Sequence, residues 1–95
     1  MIKATEAREL TEGYAKNMEQ EGINAAHEAI HTIEAVIRNN ANEGFNRSEV
    51  FVTRLYDSKD SIARQAYLSE LRQILFSNGF DVIFNQERKI LRIQW

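Results

Sequence analysis

Apolar and polar residues follow one another along the chain with two different periods. Over the first forty residues the apolar positions are Ala7, Leu10, Tyr14, Met18, Ala25/Ala26, Ala29/Ile30, Ile33 and Val36/Ile37. Their three-and-four spacing is that of one stripe along an amphipathic helix. Thr5 is placed to cap its start, with Glu6 and Glu9 in the first turn, where the helix dipole favours acids. Asn39, Asn40, Asn42 and Gly44 have the composition of a helix stop. Gly22 sits on the stripe itself, where three readings stay open: a kink, a close approach, or a break into two helices. An unbroken helix over 5–41 would be roughly 55 Å long, against about 25 Å for a compact domain of this chain length. It therefore either bends at Gly22 or projects and pairs with another subunit, and Ala25, Ala26 and Ala29 would allow a close helix crossing.

After Gly44 the period becomes two. Ser48 to Leu55 is β-branched and aromatic, with Val50 and Val52 on one face and Phe51 and Thr53 on the other, which predicts a strand. Asp57 to Asp60 form a turn that offers helix caps, and a second helix is predicted over about 60–78, closed by Asn78-Gly79. The last sixteen residues read as a hairpin. Pairing Phe84 with Leu91, Val82 with Ile93 and Phe80 with Trp95 puts six large apolar side chains on one face and leaves Gln86 to Lys89 as the loop. The order is α-β-α-β-β. The expected fold is α+β, a three-stranded antiparallel sheet with the long N-terminal helix and the second helix packed on one face.

Composition narrows the functional classes. The 95 residues contain no cysteine and no proline, so a disulfide framework and cysteine-ligated metal centres are excluded. A single domain spanning residues 1–95 is expected. No apolar run approaches the roughly 18–20 residues of a membrane span, and the N-terminal residues lack the apolar stretch of a signal peptide. A cytoplasmic protein is the expectation. Residues 1–44 carry four Lys/Arg and eight Asp/Glu, a net of −4, while residues 45–95 carry eight and six, a net of +2. That basic half falls short of a nucleic-acid footprint, so nucleic acid is not favoured as a partner.

One string carries a specific chemistry. His27-Glu28-Ala29-Ile30-His31 spells H-E-x-x-H and resembles the zincin signature. Histidines one helical turn apart can share a zinc ion while the glutamate activates the bound water. A catalytic zinc needs a third protein ligand, and without cysteine or another histidine this must be an acid. Glu49, Asp57, Asp60 and Glu70 are possible donors, none in a recognisable second motif. Both histidines lie about 100° off the apolar stripe, on what should be the solvated side. No cofactor, metal ligand or catalytic residue is assigned; the zinc hydrolase is the alternative reading. Arg54, Tyr56 and Arg64 around the strand-to-helix turn offer a phosphate site, but Asp57 and Asp60 crowd it and favour helix capping. A nucleic-acid or nucleotide binder using the basic half is a second alternative.

Two surfaces are candidates for a partner or a second copy: the helix positions Tyr14 and Met18, and the outer sheet positions Phe51, Ile83 and Ile90. Ile83 and Ile90 should sit diagonally, with Arg92 opposite Ile83. Four segments, Ile2–Thr11, Asn39–Gly44, Leu75–Val82 and Leu91–Trp95, resemble those of small bacteriophage-encoded accessory proteins. Many such proteins have no assigned molecular function, so the resemblance carries over no catalytic residue. It implies a non-enzymatic binding protein in the bacterial host cytoplasm, acting on a host protein or a defence-related ligand, and self-association is expected alongside.

Overall fold

The computed structural model describes all 95 residues. The elements are α1 (Ala4–Asn42), β1 (Arg47–Phe51), α2 (Val52–Leu55), α3 (Ser61–Ser77), β2 (Asp81–Asn85) and β3 (Ile90–Gln94). The strands form one antiparallel sheet in the order β1-β3-β2, so the fold is α+β as the periodicities predict. The hairpin register is the expected one, with Val82 opposite Ile93 and Phe84 opposite Leu91. Phe80 and Trp95 extend the pairing beyond the ladder through an edge-to-face contact, their ring centroids 6.1 Å apart.

Alternation in the strands sends Ser48, Val50, Leu91 and Ile93, with the half-buried Val82 and Phe84, to one face. There they meet Ala26, Ala29 and Ile33 of α1 and Tyr67, Leu71 and Leu75 of α3. Ser48 is the polar residue of this face. Its hydroxyl accepts from Asn40 Nδ2 at 2.7 Å, which meets the requirement that a buried polar group find a partner. Contacts advance together along both helices, from Gly22 against Ala63 to His27 against Glu70, so α1 and α3 run parallel. Both long helices close with a left-handed glycine, Gly44 after α1 and Gly79 after α3 (φ 90° and 89°). The following amides, those of Phe45 and Phe80, bond back to Asn40 O and Leu75 O, satisfying carbonyls that the helix end would otherwise orphan.

Three details differ from the sequence reading. The first strand ends at Phe51 rather than Leu55, because its partner β3 begins at Ile90 and offers nothing to pair beyond it. The Val52 amide bonds instead to Lys89 O at 3.1 Å, and Val52–Leu55 coil into one turn that buries Val52. An additional short helix thus stands between the first strand and the second long helix. Helix α1 starts at Ala4 with Lys3 in the cap position, so Thr5 lies inside the first turn. Gly22 neither kinks nor breaks the helix: it is the site of close approach. A Cβ there would lie 2.1 Å from the Ala63 carbonyl oxygen and 2.9 Å from the Tyr67 amide nitrogen.

Helix α1 is longer than the body it packs on. The molecule measures 64 × 25 × 17 Å. The first contact with α3 comes at Tyr14, whose hydroxyl donates to the Asp60 carboxylate at the α3 N-cap. The residues of α1 before Tyr14, about 15 Å at 1.5 Å per residue, project beyond α3.

Candidate functional site

The residues proposed from sequence fall on two separate surfaces. Phe51, Ile90 and Ile83 share the outer face of the sheet, away from the helices. Phe51 pairs directly with Ile90, and Ile83 lies across the diagonal, opposite Arg92. Arg54 lies over the Phe51 ring at 4.7 Å from its centroid, and Arg92 reaches Glu49 Oε1 at 3.1 Å. The face is therefore an apolar diagonal interrupted by one ion pair. Ile83 is 56% exposed and Ile90 half-buried.

Tyr14 and Met18 belong to α1, where the apolar stripe leaves the body. Met18 is half-buried, while Tyr14 is exposed. The Tyr14 hydroxyl and the Ala63 amide both donate to Asp60. Those two bonds, the tyrosine's first, hold the Asp60 carboxyl below its ordinary value, and the same bond raises the Tyr14 phenol. Further out the stripe has no cover. Leu10 is 66% exposed, and every residue from Met1 to Glu12 is exposed. The sequence places Leu10 on the stripe with Tyr14 and Met18, but only the parallel packing of α3 shows that it overhangs.

The histidines and glutamate of the H-E-x-x-H string occupy the solvated side of α1, as their phase predicts, while Ala29 between them faces the core. His27 and His31 are both exposed. Among the distant acids, the fold brings Glu70 to the motif, with His27 Nε2 3.2 Å from Glu70 Oε1. No three His, Asp or Glu side chains converge on a point able to hold a metal ion.

Sequence reasoning did not anticipate a cavity of about 270 Å³ between the hairpin and the first turns of α3. Three segments build it: the α2 turn with Tyr56 and Asp57, α3 with Arg64, Gln65 and Leu68, and the hairpin with Phe84, Gln86 and Lys89. The sequence groups Tyr56 and Arg64 at the strand-to-helix turn. Lys89 joins them only because the hairpin loop folds back over α2, a proximity for which the chain carries no local signal. Tyr67 closes the inner end, its hydroxyl donating to Val52 O at 3.2 Å, and its burial pushes the phenol up to about 12. The rings of Tyr56 and Tyr67 pack at 4.9 Å between centroids.

Comparison with known protein families, with curated proteins and with solved structures finds no match to this chain.

Proposed function

We propose that this chain is a non-enzymatic binding protein of the phage-accessory type that self-associates through the projecting part of α1 and acts by occupying a host protein. The observation that carries this reading is the overhang. The projecting residues extend a helix already nucleated by its packed part, and they present Ala7 and Leu10, next to Tyr14, as a continuation of the buried stripe. Covering a leucine removes its apolar surface from water, which is worth about 1.5–3 kcal/mol per side chain. A second copy laying its own stripe against the first would cover both. The outer sheet face, with Phe51, Ile83 and Ile90, is left for the host protein. The resemblance to phage accessory proteins supports the host as partner.

Sedimentation equilibrium on the full chain tests the first half of this reading. The wild type is expected to form a discrete oligomer, and Leu10→Asp or Ala7→Asp to weaken it while circular dichroism shows the body still folded. Ile83→Asp should leave the oligomer unchanged if the sheet face serves the host. A monomer at every concentration examined would sink the proposal.

A further inference from the structure

We propose that the cavity between the β2–β3 hairpin and the start of α3 binds a small organic anion, whose charged group lies between Arg64 and Lys89 and whose flat apolar body rests against Tyr56, Leu68 and Phe84. The proposal stands apart from self-association through α1. Four observations converge on it.

Neither cation is held in a direct ion pair. The chain's ion pairs are His27–Glu70, Arg38–Glu34 and Arg92–Glu49, and none involves Arg64 or Lys89. One nearby acid, Asp60, has its carboxyl lowered in part by the charge of Arg64, and Lys89 has no part in that shift. Asp60 is already engaged by the Tyr14 hydroxyl and the Ala63 amide, leaving Asp57 as the one carboxylate on the wall. Two cations facing a concave, partly apolar surface attract an anion more strongly than they would in open solvent.

Lys89 is held in a backbone conformation that opposes its own side chain. Its φ of 57° is the only left-handed value at a non-glycine residue in the chain. Glycine or asparagine is the ordinary occupant of such a place. Strain of this kind, found in a residue lining a cavity, points to a side chain retained for what it touches.

Tyr56 supplies a third feature. Its hydroxyl is the buried side-chain polar atom that finds no hydrogen-bond partner in the fold. Buried polar groups are nearly always paired, so this hydroxyl is an unused donor and acceptor on a residue that also lines the cavity. The fourth observation is the wall itself. The Tyr56 ring, Leu68 and Phe84 form the apolar side of the cavity and Arg64 and Lys89 line it with charge, the combination of apolar walls and few polar groups that small-molecule sites show. The larger cavity at the far end of the helices, about 400 Å³ around Ile37 and Ile74, lacks this: Arg38 on its rim is already paired with Glu34.

The shared chemistry, an anionic group on an apolar plate, is met by a nucleoside phosphate or by an aromatic carboxylate. Amide chemical-shift titrations of the full chain with adenosine monophosphate, benzoate and inorganic phosphate distinguish them. At least one aromatic anion is expected to shift the amides of Tyr56, Arg64, Leu68, Phe84 and Lys89, and to bind about tenfold or more tightly than inorganic phosphate. Whichever aromatic anion binds better identifies the charged group. Arg64→Gln should weaken that binding about tenfold. Lys89→Gly is the sharper variant, because it relieves the backbone: its melting temperature should rise while binding weakens by a similar factor. Loss of affinity in a firmer protein cannot be ascribed to unfolding. No localised shift with any of the three probes at about 10 mM, or undiminished binding in both variants, would overturn the inference.

Discussion

Gly22 shows how one missing atom sets the packing of two helices. Alanine is worth roughly 1 kcal/mol more than glycine within a helix. A Cβ at this position, however, would stand 2.1 Å from the backbone oxygen of Ala63, which has no flexible end to move aside. Overpacking of that kind costs about 1–3 kcal/mol and occasionally more, so the contact outweighs the propensity. Gly22→Ala should lower stability by about 2 kcal/mol in denaturant unfolding, whereas Gly13→Ala, with nothing within 4 Å, should raise it by up to about 1 kcal/mol. Tyr67 makes a prediction in pH. It is 2% exposed, and its phenol is raised from the ordinary 10.0 to about 12. A raised folded value means that the neutral form contributes stability in full below pH 10.0, which is lost as pH rises to about 12. About 2–3 kcal/mol should go over that window. Tyr67→Phe should lose about 1 kcal/mol at neutral pH with the bond to Val52, yet show a flatter alkaline decline when the two proteins are unfolded side by side.

Among the elements, α1 divides into two parts with different physics. From Gly22 to Ile37 its buried line faces α3 and the sheet, and its backbone bonds are protected by the core. Before Tyr14 the same intrahelical bonds face water on every side. Local opening there costs little unless something covers it. Hydrogen exchange should therefore be fast from Ala4 to Thr11 in dilute protein and slow from Ala26 to Ile33. Raising the concentration should slow the N-terminal amides selectively if the arm is the surface of self-association. Fast exchange of those amides in an established oligomer would move that surface elsewhere. The hairpin is the opposite case, an element whose register is fixed by burial: slipping β3 by one residue would turn Leu91 and Ile93 to solvent, and slipping β2 would turn out Val82 and Phe84.

At the scale of the molecule the overhang makes the chain elongated. Its Cα radius of gyration is 16.4 Å, against about 12 Å for a compact domain of the same length. Removing residues 1–12 should bring the radius measured by small-angle scattering down toward the compact value. Because every one of those residues is exposed, the melting temperature of the dissociated monomer should change little, by the equivalent of about 0.5 kcal/mol or less. A large fall would mean that the arm packs against its own body. No helix is long and apolar enough to cross a membrane.

Local chemistry determined most of the elements from sequence alone. The switch from a three-and-four period to a period of two separates the helix from the strands, and asparagine and glycine mark the helix ends. Side-chain alternation forces Phe84 against Leu91 and Val82 against Ile93, because only that register buries all four. These features depend on neighbours in the chain, and the sequence displays them directly. What tertiary structure alone decided involves residues far apart in the chain. Whether Gly22 bends or receives another helix depends on Ala63, forty-one positions on. Where β1 stops depends on where β3 starts, so Val52 begins a helical turn despite its strand-like neighbourhood. The overhang of α1 follows from its register against α3, and the cavity from a hairpin loop that returns Lys89 to Arg64 and Tyr56. Periodicity records which side of a segment is apolar; it carries no information on which other segment will cover that side, or on where the cover ends.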